Sequence, residues 1–132
     1  MRVRGAIIGC GYFSQHHLAA WKRIPEVEIV AACDLEYDRA RRFADRAYCS
    51  AEEMLRQETL DFVDIATRVD SHVELTSLAA QRGVTVICQK PIAPDWDAAL
   101  RLVETIENVG MPFIVHEGPL AGRRGVASLH RR

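Results

Sequence analysis

The stretch Val3-Arg4-Gly5-Ala6-Ile7-Ile8-Gly9-Cys10-Gly11-Tyr12-Phe13-Ser14 decides the fold. An apolar run over residues 6–8 leads straight into Gly9-x-Gly11-x-x-Ser14, and a helical pattern with Leu18, Ala19 and Trp21 follows. The order is strand, tight turn, helix. Gly9 can take backbone angles that a side chain forbids. Gly11 leaves room for a pyrophosphate against the main chain, and the N–H groups that open the helix, from Tyr12, Phe13 and Ser14, meet its charge. Ser14 fills the third small position, where Gly or Ala is usual.

The second half of the unit strengthens this reading. Residues 28–33 form a buried apolar strand, and Asp34 stands at its end, about 20 residues beyond Ser14. A carboxylate there can accept both hydroxyl hydrogens of an adenosine ribose. Strand, turn, helix, strand and acid in one register imply a dinucleotide site. Arg39 could attract a 2′-phosphate, but Asp34 would repel it, so the pattern favours NAD over NADP.

Composition sets the bounds. The chain has 132 residues, 48% hydrophobic and 27% charged, with a formal net charge of −1. That fits one domain with a proper core and gives no charge signature for nucleic acid or an anionic membrane. No apolar run approaches a membrane span and no signal-peptide pattern opens the chain, so cytoplasm is the expected location. Cys10, Cys33, Cys49 and Cys88 have neither zinc spacing nor a disulfide framework, and no metal site is expected. Cys10 lies in the proposed phosphate turn, where partial access would allow redox chemistry.

Along the chain, helices are expected over residues 14–23, 38–46, 51–57, 71–82 and 95–109, with strands over 62–66, 84–88 and 111–116 and a short one at 48–49. Ser50 and Glu53, and again Ser71 and Glu74, have capping-box spacing. Adjacent His16 and His17 do not share a helix face and read as polar residues near a ligand. Alternating strands and helices imply a doubly wound parallel α/β sheet of about six strands, with ligands at the carboxyl ends of the strands. The turn, Asp34, residues 67–72 and Gln89-Lys90 all fall at those ends. Residues 118–132 carry Arg123, Arg124, Arg131 and Arg132 without an acid and without clear period, and read as a disordered or non-native basic tail.

Taken together, Gly9-x-Gly11-x-x-Ser14, Asp34, Val63-Asp64-Ile65-Ala66-Thr67, Asp70-Ser71-His72 and Gln89-Lys90-Pro91 resemble the amino-terminal domain of the Gfo/Idh/MocA (glucose-fructose oxidoreductase / inositol 2-dehydrogenase) family. The resemblance covers residues 3–117. It implies that Gly9, Gly11 and Ser14 hold the pyrophosphate and that Asp34 holds the ribose. It also implies that Thr67 and His72 lie on the loop near the nicotinamide ribose, and that Lys90 is the catalytic lysine beside nicotinamide and substrate, with Gln89 next to it. The family usually has Glu where Gln89 stands, and often Pro where Arg68 stands. It also continues into a second, substrate-shaping α/β domain, to which nothing after residue 117 is similar. The tail therefore reads as a truncation or a shifted frame, and the chain as a NAD(P)-binding domain of a sugar- or polyol-type dehydrogenase, inactive alone. Two other readings stay open at this point, a non-catalytic nucleotide-binding or assembly module and an S-adenosylmethionine-dependent methyltransferase. The latter usually has glycine where Phe13 stands. A small-molecule substrate is expected only with the second domain, and homo-oligomerisation is left open.

Overall fold

The computed structural model describes residues 2–116 and 126–129. Strands β1 (Val3–Ile8), β2 (Val27–Cys33), β3 (Ala47–Tyr48), β4 (Phe62–Ile65), β5 (Thr85–Gln89) and β6 (Phe113–His116) form a parallel sheet, and β7 (Val126–Leu129) adds an antiparallel edge. Helices α1 (Ser14–Lys22), α2 (Tyr37–Phe43), α3 (Ala51–Gln57), α4 (His72–Gln81) and α5 (Trp96–Val109) connect them. The spatial order is β3-β2-β1-β4-β5-β6-β7. From β1 the chain moves outward through β2 and β3, then crosses back to β4 on the opposite side of β1. That reversal opens a crevice at the carboxyl end of β1, where ligands of such sheets bind.

Side chains alternate across the sheet as the strand period requires. Ala6 and Ile8 of β1 point with Val63, Ile65, Val86 and Phe113 into the larger core, which holds Met54 and Leu55 of α3, Ala79 of α4, and Leu102 and Ile106 of α5. Ile7 points the other way, with Ala32 and Ala40, against Leu18 and Trp21 of α1 and Phe43 of α2. Burial on both faces explains the unbroken apolar runs of the inner strands. Leu102 is fully buried, and truncating such a leucine to alanine costs roughly 2–5 kcal/mol.

The helix α5 follows its sequence signals closely. Asp95 accepts the Ala98 N–H at 2.8 Å as N-cap, and Gly110 closes the helix at φ +78°. Three details differ from expectation. Helix α2 stops at Phe43, because Ala44 is extended and the Arg46 carbonyl is needed by Ala32 N–H as β3 begins. Ser50 does cap α3, accepting the Glu53 N–H at 3.2 Å, but the Glu53 carboxylate takes the Gln57 amide at 3.1 Å and does not reach back. Ser71 caps nothing. A 3-10 turn over Val69–Ser71 precedes α4, and the Ser71 hydroxyl bonds Thr67 Oγ1 at 2.6 Å and donates to the Arg68 carbonyl at 2.8 Å.

The tail also differs in part. Residues 126–129 pair antiparallel with β6, His116 opposite Val126 and Phe113 opposite Leu129, where the sequence showed no period. Four residues are too few for alternation to register. The rest of the tail lies outside the described residues.

Candidate functional site

Gly9 leaves β1 at φ +97°, and a Cβ there would lie 2.7 Å from the Ala66 carbonyl oxygen. Both the conformation and the space demand glycine. Its N–H donates to the Cys33 carbonyl at 2.8 Å, which pins the turn to the end of β2. Asp34, the next residue on that strand, accepts the Cys10 N–H at 2.8 Å on Oδ2 and the Glu36 N–H at 2.8 Å on Oδ1. The carboxylate thus stands at the glycine corner. Each oxygen keeps a further lone pair for a hydroxyl donor.

Beyond the corner the backbone is open. The N–H groups of Gly11, Tyr12 and Phe13 donate to no backbone carbonyl among the described residues, and α1 has no side-chain cap. An added Cβ on Gly11 would meet nothing within 4 Å, so its glycine answers no packing need within the chain. Uncapped helix N–H groups beside free space suit an anionic oxygen. Ser14 is 1% exposed and packs inward, a spacer between α1 and the sheet. Tyr12 and Phe13 project outward at 77% and 68% exposure, each edge-on to the His16 ring.

A cleft of about 930 Å³ runs along these groups. Gly9, Gly11, Asp34 and Arg39 line one side and Thr67, Ser71 and Leu75 the other. Arg39 is paired with Glu36 at 2.7 Å, both side chains exposed. Cys10 is buried, and burial, with the Asp34 charge second, pushes its thiol up to about 12. That corrects the expected partial access: a thiol held protonated has little redox reactivity.

Two expected residues sit differently from the glycine corner. His72 is 1% exposed, with Nδ1 2.9 Å from the Pro91 carbonyl and Nε2 3.1 Å from the Thr67 carbonyl. It sits between the loop after β4 and the loop after β5 and keeps its ring out of the cleft; both neighbours are acceptors, so a neutral ring donates its one N–H to one of them. Lys90 is exposed, follows β5, and precedes Pro91 across a cis peptide bond. Neither it nor Gln89 lines the cleft.

The region around Gln89 and Lys90 contains residues that sequence reasoning missed. Asp64, in the middle of β4, is 2% exposed. Its Oδ2 accepts His17 Nδ1–H at 2.9 Å and Trp21 Nε1–H at 2.8 Å, while Oδ1 has no partner among the described residues. The hydrogen bond to Asp64 holds His17 above the usual imidazole range, against the opposing cost of burial. The His17 ring lies 4.8 Å from that of His116, whose Nδ1 is 2.8 Å from Gln89 Oε1. Lys90 N–H donates to the His116 carbonyl at 3.2 Å. The signal available in sequence was an aspartate inside an apolar strand, a charge that needs partners when buried. Below it, Gly5 lets the Phe62 ring cross β1, since a Cβ would lie 2.1 Å from Phe62 Cζ, and Phe62 packs against Trp21 at 4.8 Å.

Among the described residues no group of three His, Cys, Asp or Glu is placed to hold a metal ion, and no helix is long and apolar enough to cross a membrane. A parallel doubly wound sheet with a free glycine turn and an adjoining acid defines a dinucleotide-binding Rossmann domain. The model of the Gfo/Idh/MocA oxidoreductase family, NAD-binding Rossmann fold, matches residues 3–117, and the chain belongs to that family. Membership removes the methyltransferase alternative.

The chain is 49% identical over 121 residues to a D-apiose dehydrogenase from Paraburkholderia graminis, covering 88% of this chain and 32% of that protein. It is 30% identical over 114 residues to an inositol 2-dehydrogenase from an Arthrobacter species, covering 82% of this chain and 34% of that one. It also superposes with a TM-score of 0.83 on an oxidoreductase from Agrobacterium radiobacter solved with NAD+, L-tartaric acid and magnesium; identity is 38%, covering 88% of this chain and 35% of that structure. The chain therefore spans about a third of the length of the relatives it matches.

Proposed function

We propose that the chain binds NAD and serves as the cofactor half of a dehydrogenase acting on a sugar- or polyol-type hydroxyl or carbonyl. The observation that carries this is the corner itself: three main-chain N–H groups left open beside Gly11, with Asp34 held against Cys10 N–H at 2.8 Å. Gly9, Gly11, Tyr12 and Phe13 would hold the pyrophosphate through the backbone, with Ser14 as the packing spacer. Asp34 would take the ribose hydroxyls, and Thr67 would approach the second ribose. Asp34 would repel a 2′-phosphate, which favours NAD over NADP.

Bound NAD supplies the hydride acceptor. Lys90, outside the adenosine cleft and free to extend, would place its ammonium beside the substrate oxygen and stabilise negative charge developing there. Substrate recognition belongs to a second domain, in keeping with the D-apiose and inositol dehydrogenases that the chain matches over a third of their length. Three buried free cysteines fit a reducing compartment, and cytoplasm is the location we infer. Titrating the purified chain with NADH while following nicotinamide fluorescence tests the binding. Saturation in the micromolar to low millimolar range is expected, with NADPH weaker, and a linear response throughout would overturn the reading. Lys90→Ala should leave that affinity within about twofold, since the lysine is placed for chemistry and a rise in k_off is not expected from an exposed side chain.

A further inference from the structure

We propose that His116 is a positioning residue for the Gln89-Lys90 end of the site, held in a single tautomer by Gln89 on one side and by the buried Asp64–His17 pair on the other. This rests on the reading of Lys90 given above. The buried carboxylate comes first. Asp64 sits inside the sheet with a side chain 3% exposed, and its charge is met by His17, itself only 9% exposed. Removing either partner would leave the other buried without compensation. The pair fixes the His17 ring as a Nδ1–H donor and places it 4.8 Å from the His116 ring, tilted 50° to it.

Two imidazoles at this distance do not both carry a proton's charge without repulsion. His17 is the one favoured to be charged, because the carboxylate is bonded to it. His116 is held below the ordinary imidazole range, by burial first and by the His17 charge second, with Asp64 opposing more weakly. Among the described residues the other titratable groups around the pair do not alter this. Cys88, on β5, is pushed up to about 12 by burial and then by Asp64, so it stays neutral. Lys90 meets His116 through its backbone, and His16 turns outward to Tyr12 and Phe13.

A neutral His116 has one N–H, and Gln89 Oε1 at 2.8 Å can only accept. The proton therefore sits on Nδ1. Nε2 keeps its lone pair and has no partner among the described residues. The Gln89 oxygen is thereby spoken for, its amide N–H₂ is left to donate, and a second cation is kept away from Lys90. The arrangement connects α1 to the ends of β5 and β6 through side chains alone.

Histidine-detected NMR on the isotope-labelled whole chain tests this. At neutral pH, His116 should show a protonated Nδ1 and an unprotonated Nε2, and His17 should titrate above it. His17→Gln removes the neighbouring cation and keeps Asp64, so the proton affinity of His116 should rise by about fourfold or more. Asp64→Asn is a second, isosteric variant, in which His17 should titrate lower. The Gln89 carboxamide resonances should follow the His116 titration. An unchanged His116 midpoint in His17→Gln, or a protonated Nε2 with bare Nδ1 in the unaltered chain, would overturn the proposal. An NADH titration of the unaltered chain separates the two claims: lack of binding defeats the proposed function and leaves the tautomer result to stand or fall alone.

Discussion

The glycine corner, proposed for the adenosine, and the Lys90 end of the crevice are built from different materials. The first is nearly all backbone: a turn forced by Gly9, open N–H groups after Gly11, and one carboxylate anchored by two main-chain donors. The second is a set of side chains from α1, β4, β5 and β6: Asp64 bonds His17, His116 bonds Gln89, and the two imidazole rings meet at 4.8 Å. A backbone site is fixed by conformation, so one wrong residue destroys it. A side-chain site is fixed by protonation and packing, so it can be tuned by pH and by single substitutions.

The most severe break should come at the turn. Gly9→Ala forces a Cβ against the Ala66 carbonyl and a residue with a side chain into φ +97°; we expect a loss of about 2–3 kcal/mol in thermal or denaturant unfolding and no detectable NADH saturation. Asp34→Ala should come next. It deletes the ribose acceptor and frees the Cys10 and Glu36 N–H groups, so NADH affinity should fall roughly 10- to 100-fold, read by the same titration, with a much smaller change in melting temperature.

At the other end the expected effects are smaller and follow pH. His17 has a folded value above its ordinary 6.5, so its pairing with Asp64 contributes stability that is complete below about that pH. The contribution is lost as pH rises through the raised value. His116 has the opposite sign: its lowered value makes folding less favourable as pH falls below 6.5. Melting temperature against pH should therefore lose its alkaline decline in His17→Gln and its acid decline in His116→Phe. A profile identical to that of the unaltered chain in both would show that the pair does not titrate as described. The smallest effect is expected far from both ends, where Asp95→Ala removes the α5 cap for about 1 kcal/mol and should leave NADH binding unchanged.

This contrast also explains what could be read from the amino-acid order. Gly9, Gly11 and Asp34 act through the main chain or at a fixed distance from the turn, and such features leave a spacing in sequence. The doubly wound parallel sheet followed from the alternation of strands and helices. The Asp64 network left no spacing, since its members lie on elements far apart in sequence, and His17 was legible only as one of two adjacent histidines. His72 had a position but not a role: its two carbonyl partners come from loops whose approach only the folded chain defines. The second capping box failed for a related reason, as Thr67 and Arg68 outcompeted the helix for the Ser71 hydroxyl.

Strand β1 thus contains a glycine, Gly5, with a client of its own. Because Gly5 presents no methyl, the Phe62 ring can slide beneath the indole of Trp21 and set the tilt at which its N–H reaches Asp64. Grafting a relative's first strand onto this chain to transplant the phosphate loop would accordingly carry a hidden cargo. Any bulk at the fifth position would be transmitted, ring by ring, to the acid that lies two residues beyond Phe62.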